Sequence, residues 1–157
     1  MAELRALLED ELGFAGVRTL GQSGNVAFAA SRTAEAKLVE RLEAAVDARF
    51  GVPARVMVRT RAQLAAVVAG DPFGAAELDP ASYLVGFCDV PPGLLGLDAG
   101  ALAPERVAVD ERTLYLWLPD GTQRSPLMKA LSRLDGGVAM TTRNWRTVTG
   151  LLELAGR

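Results

Sequence analysis

The chain has 157 residues, half of them hydrophobic and 23% charged, enough apolar matter for one ordinary domain or two small ones around real cores. It contains no histidine and one cysteine, Cys88, which excludes His general bases, Ser-His-Asp triads, His or multi-Cys metal sites and any disulfide within the chain. Seventeen basic residues against nineteen acidic ones give a net charge of −2, so bulk electrostatics alone would not hold nucleic acid.

The N-terminal stretch is acidic and amphipathic rather than a secretory leader, and no apolar run approaches the ~18 residues of a membrane helix. We therefore expect a cytoplasmic chain with no membrane partner, no metal and no cofactor. Leu4, Leu7, Leu8 and Leu12 share one helical face over residues 2–12, and Gly13 supplies the stop. Residues 17–20 and 26–30 read as short strands around the turn Ser23-Gly24-Asn25. Thr33 is positioned to cap a helix that runs to Phe50, and Gly51 ends it. Residues 55–59 (R-V-M-V-R) alternate as a strand with one wet face should. Thr60 and Gln63 have capping-box spacing for a helix through Ala69, closed by Gly70-Asp71-Pro72. A connector covers residues 72–82.

In the second half, residues 83–88 read as a strand ended by Pro91-Pro92. Residues 91–103 combine helical leucines with three glycines and predict a short, frayed helix. Residues 107–109 and 113–118 form a hairpin with Asp110-Glu111-Arg112 at its tip, Leu114, Leu116 and Leu118 facing one way and Tyr115 and Trp117 the other. Ser125-Pro126 starts a helix to Leu134, residues 138–140 form a strand, and Thr142 starts a last helix. The second half is then β-α-β-β-α-β-α and the first is the same order without its opening strand. Because β-α-β-β-α-β is the ferredoxin-like arrangement, the reading is an α+β protein of two tandem ferredoxin-like (βαββαβ) subdomains. The first, incomplete one spans 1–72, and the second spans 83–157 with a C-terminal helix. An unfilled strand position would leave the first sheet an exposed edge and a route to self-association.

An ordered set of residues carries a family resemblance. Gln22-Ser23-Gly24-Asn25-Val26 follows Val17-Arg18-Thr19. Asp71-Pro72-Phe73 comes next, then Pro119-Asp120-Gly121 leading into Arg124-Ser125, and finally Thr142-Arg143-Asn144-Trp145 ahead of Thr147-Val148. Together they resemble the domain of unknown function 1697 family along essentially the whole chain. The resemblance implies paired ferredoxin-like subdomains and no assigned activity. Members open with a strand and a Leu-Arg-Gly-Ile-Asn-Val-Gly-Gly segment, and this chain starts just after it. Where members have Arg-Ser-Lys-Leu, it has Arg124-Ser125-Pro126-Leu127, one cation fewer.

Two expected helix starts draw attention to chemistry. Helix N-termini carry partial positive charge and orphan N–H groups, so acids are preferred there. This chain instead places Arg124 before the Ser125 cap and Arg143 just after Thr142. An anion such as phosphate would satisfy both the dipole and the guanidinium groups. The plainer account pairs each arginine with an acid such as Asp120 or Asp135, or with water. Ligand candidates are Arg124, Ser125, Arg143, Asn144 and Thr147, with Gln22, Ser23 and Asn25 in the polar turn, where local turn chemistry is an equal explanation. Trp145, Val148 and Leu152 lie at helical spacing, which makes Trp145 a core anchor rather than a stacking platform. Ser125 and Lys129 share a face, but capping explains Ser125. The leading reading is a binder of a small anionic or phosphorylated ligand. Its alternatives are a single-stranded nucleic-acid-binding module, disfavoured by the acidic pI, and a histidine-free enzyme acting on a phosphorylated substrate.

Overall fold

Glycines and prolines punctuate the chain into short elements, and a computed structural model describes them over residues 1–31, 33–93, 100–133 and 138–156. Among these residues, five α-helices and two antiparallel sheets make an α+β protein. Two units are distinguished: Met1–Ala62 with Thr149–Arg157, and Gln63–Val148. The sequence reading draws its subdomains at 1–72 and 83–157. No helix among the described residues is long and apolar enough to cross a membrane.

In the first unit, helix α1 (Ala2–Ala6) continues into a π-helical turn over Leu7–Glu11, which buries Leu7 and Leu8. Gly13, at φ +68°, ends it as the leucine periodicity predicted. Strands β1 (Ala15–Leu20) and β2 (Asn25–Ala29) pair as an antiparallel hairpin. Helix α2 (Glu35–Phe50) adds Leu38 and Leu42 to a core with Leu7, Leu8 and Val17, flanked by the Phe14 and Phe28 rings 4.5 Å apart. Two local expectations fail. The cap position of α2 is Ala34, not Thr33, whose hydroxyl instead lies 3.5 Å from that of Ser31. Residues 55–59 are not a strand. Val56 and Val58 do turn inward, but the Val56 N–H donates to Glu43 Oε1 at 2.8 Å where a ladder would supply a carbonyl. The last helix returns to this unit because Gly150 lies against Leu20, and Arg18 Nη1 donates to the Leu154 carbonyl at 3.3 Å.

The second unit opens within helix α3 (Arg61–Ala69) and is built on one sheet. Strands β3 (Tyr83–Cys88), β4 (Arg106–Asp110), β5 (Thr113–Trp117) and β6 (Met140–Asn144) lie in the order β4-β5-β3-β6, all neighbours antiparallel. All six β3 residues are buried, so this strand needs cover on both faces. On one face Leu84, Cys88, Leu114 and Leu116 meet Leu118 and Leu127, the latter from helix α4 (Pro126–Arg133). On the other, Tyr115 donates its hydroxyl to the Val67 carbonyl of α3 at 3.0 Å. There Trp145, first residue of helix α5 (Trp145–Leu154), stacks on Tyr83 with centroids 4.7 Å apart and planes 6° apart.

The split of Leu114, Leu116 and Leu118 from Tyr115 follows the alternation in the sequence. The end of the chain does not. Thr142 and Arg143 belong to β6 rather than to the last helix, because residues 140–144 are registered against β3 with Gly86 opposite Thr142 and Val85 opposite Arg143. The helix expected over 91–103 falls largely on residues 94–99, outside the described residues, as does the end of α4 expected at residue 134.

Gly86 is where the sheet has least room. A Cβ there would lie 2.8 Å from Met140 Sδ and 3.2 Å from Leu114 Cβ. Gly86→Ala should cost about 1–3 kcal/mol through overpacking. In urea denaturation, Gly86→Ala combined with Met140→Ala should lose less than the sum of the single changes.

Candidate functional site

The expected anion site at the start of α4 is already filled from within. Pro126 has no N–H to offer. Leu127 N–H donates to Glu105 Oε2 at 2.8 Å, Met128 N–H to Ser125 Oγ at 2.9 Å and Lys129 N–H to the Ser125 carbonyl at 3.3 Å. Ser125 is wholly buried and Glu105 is 7% exposed, so the helix end holds a resident carboxylate beneath the surface. Arg124 projects from a 3-10 turn, Thr122–Arg124, and is exposed.

Arg143 lies on the other side of the sheet. Val85 is registered with both Tyr115 and Arg143, so these three share the face turned away from α4. The Arg143 guanidinium is half-buried, and its Nη1 donates to Thr141 Oγ1 and to the Thr142 carbonyl, both at 2.7 Å. Burial holds its pKa below the usual arginine range. Strand parity assigns Arg143 to the face opposite α4, whereas Arg124, with which it was expected to share an anion, immediately precedes the start of α4. Asn144 is the cap that Thr142 was expected to be, its Oδ1 accepting the Thr147 N–H at 2.9 Å. In the first unit Gln22 and Ser23 are exposed in the hairpin turn. Buried Asn25 closes that turn through Nδ2, which donates to the Leu20 carbonyl (3.2 Å) and to Ser23 Oγ (3.1 Å).

A second polar cluster surrounds Asp71. Its Oδ1 accepts from the Tyr83 hydroxyl at 2.6 Å and from Phe73 N–H at 3.0 Å, and its Oδ2 accepts from Ala75 N–H at 2.5 Å. Burial pushes this carboxyl upward, but the bonds from Ala75, Tyr83, Phe73 and Gly74 outweigh it and hold Asp71 below the usual carboxylate value of 3.8. Burial, reinforced by Asp71, drives the Tyr83 phenol far above its ordinary range. Burial with Asp110 and Asp71 pushes Tyr115 up to about 12. With its hydroxyl committed and its ring under Trp145, Tyr83 is an anchor. Among the described residues, no cation lines the apolar cavity of about 260 Å³ beside Cys88, Leu114, Met128, Leu131 and Met140. Among the described residues no cluster of His, Cys, Asp and Glu is suited to a metal ion.

Residues 1–115 match the sequence model of a family described as Protein of unknown function (DUF1697). The chain belongs to this family. The matched residues include Asp71, Tyr83 and Glu105. No curated protein is detectably similar to this DUF1697 chain in sequence. Its fold is similar to that of the conserved bacterial protein SP0830 from Streptococcus pneumoniae, with a TM-score of 0.72 and 21% identity over 100% of this chain and 89% of that one.

Sequence reasoning missed Glu105, because nothing in its neighbourhood ties it to a helix that begins twenty-one positions later. Asp71 reads in the sequence as part of a helix stop and of a quoted motif, not as the acceptor for Tyr83, Phe73 and Ala75. Glu105→Ala should cost about 1–3 kcal/mol by leaving the Leu127 N–H unpaired, while Arg124→Gln should stay within about 0.5 kcal/mol of the parent; urea melts distinguish them. A carboxyl with a depressed folded pKa contributes stability above its unfolded value and loses it as pH falls through the folded one. The Asp71 contribution should therefore be complete at neutral pH and disappear below about pH 3.8. Asp71→Asn should flatten the acid limb of a stability-against-pH curve.

Proposed function

We propose that this protein binds a small anionic ligand, phosphate-like or carboxylate-like, with Arg143 as the anchoring cation. The observation that carries the reading is the state of that side chain. Its guanidinium is half-buried, its charge is disfavoured by desolvation, and its fork is oriented by Thr141 Oγ1 and the Thr142 carbonyl. A bound anion would offset the desolvation of this charge. Asn144, the next residue, is registered with Leu84 on the other face and is engaged as the cap of α5, its Oδ1 accepting the Thr147 N–H, so the proposed anchor is Arg143 itself. Arg124 and Ser125 drop out of the binding set, since Glu105 occupies the α4 end.

The fold reading that accompanies this proposal is ferredoxin-like for the second unit. Its support is the order β4-β5-β3-β6 with every neighbour antiparallel: the hairpin at one edge, the last strand beside the first. Single-strand nucleic-acid binding would need an open sheet face with accessible aromatics. Tyr83 and Tyr115 are buried instead, which favours the small-ligand reading. One buried thiol fits a reducing cytoplasm, where we place the protein.

Titration with inorganic phosphate, sulfate and acetate under thermal melting tests the proposal. At a hundredfold excess over Kd, one-site linkage gives about 2.7 kcal/mol of stabilisation. Arg143→Gln should abolish the saturable response and Arg124→Gln should retain it. A response absent from the parent, or unchanged in Arg143→Gln, overturns the reading.

A further inference from the structure

The outer edge of β4 carries a pattern that matches itself. Among the described residues no strand lies beyond it, and its five residues, Arg-Val-Ala-Val-Asp, place opposite charges at the two ends of an apolar centre. Arg106, Val109 and Asp110 are exposed, Val109 at 39%. Neither a proline nor an internal charge blunts this edge, the usual means of keeping a strand from pairing with another chain.

The direction of its free amides follows from bonds elsewhere in the sheet. Cys88 N–H donates to the Arg112 carbonyl and Leu118 N–H to the Ser82 carbonyl. The alternation of an antiparallel ladder then turns the amides of Leu114 and Leu116 toward β3, and those of Thr113, Tyr115 and Trp117 toward β4. Their partners Asp110, Ala108 and Arg106 are engaged in that ladder, so the N–H and C=O groups of Val107 and Val109 point outward.

We propose that two copies of the chain pair antiparallel through β4, forming a two-fold dimer with one continuous sheet. With Ala108 on the axis, Val107 faces Val109 of the other copy and the outward amides of each pair meet. The same register sets Arg106 opposite Asp110 of the other copy, twice by symmetry, on one face of the sheet. A shift by one residue separates the charges and mismatches the amides, so hydrogen bonding and charge select the same alignment. The site suits a second copy because the pattern is its own complement. This edge belongs to the second sheet, whereas the sequence pointed to the first.

Sedimentation velocity of the full chain over a concentration series tests the dimer. Association is expected for the parent, with about tenfold weakening in Arg106→Asp and in Asp110→Arg, where each reversal sets like charges opposite one another. The double swap Arg106→Asp with Asp110→Arg restores opposite charges and should restore the dimer, which misfolding alone would not allow. Ala108→Cys puts two thiols on the axis, in a pair whose Cα atoms lie about 4.5 Å apart, within disulfide reach. Mild oxidation should link that variant covalently and leave the parent, whose Cys88 is buried, unlinked. A parent that stays monomeric, a dimer indifferent to either reversal, failure of the double swap to rescue, or no cross-link at residue 108 would each overturn the proposal.

Discussion

The second unit depends on keeping β3 dry. A strand with six buried residues and partners on both edges has its backbone satisfied by β5 and β6, but it demands apolar cover above and below. The two covers differ in kind. On one side the leucines of β5 and the Leu127 side of α4 make a purely apolar layer. On the other, two tyrosines fill the space and each hydroxyl needs a partner, which Asp71 and the Val67 carbonyl provide. The position of α3 and the loop after it is thus tied to the sheet through phenols rather than through aliphatic contact alone.

Charge is handled by the same economy. The positive end of α4 attracts an anion, and the chain supplies Glu105 to it. The loop after α3 has several orphan N–H groups, and Asp71 gathers Phe73, Ala75 and the Tyr83 hydroxyl on one carboxylate. Among the described residues no buried side-chain polar atom lacks a partner. Most of the helix and loop chemistry that attracts a functional reading is therefore structural. Arg143 differs in being a half-buried cation in a strand.

Periodicity carried much of this fold into view. The boundaries of β3, the alternation in β5 and the leucine face of the first helix were legible because each side chain's burial follows from its own position along the chain. What escaped was decided by distant partners. Residues 55–59 alternate as well as any strand, yet Glu43 takes the Val56 amide. Thr142 is a good cap residue, but the register with Gly86 carries the strand on until Asn144 can do the capping. Glu105 matters through the distant Leu127 N–H, and Asp71 joins the local amides of Phe73 and Ala75 to the Tyr83 hydroxyl of a separate strand. The site suffered more than the fold, since a pair of arginines near helix starts says nothing about which face of a sheet each one reaches.

The placement of β6 also has a temporal side. During synthesis β3 is made before either strand that pairs with it, and Leu116 precedes Asn144 in the chain. Through that interval a six-residue apolar strand has one edge open, and the Tyr83 ring lacks the indole that will cover it. Closing a loop of this span is entropically costly and slow compared with the local hairpin of β4 and β5. A chain that has made β3 but not yet β6 therefore carries an unenclosed apolar strand, the condition under which aggregation competes with folding.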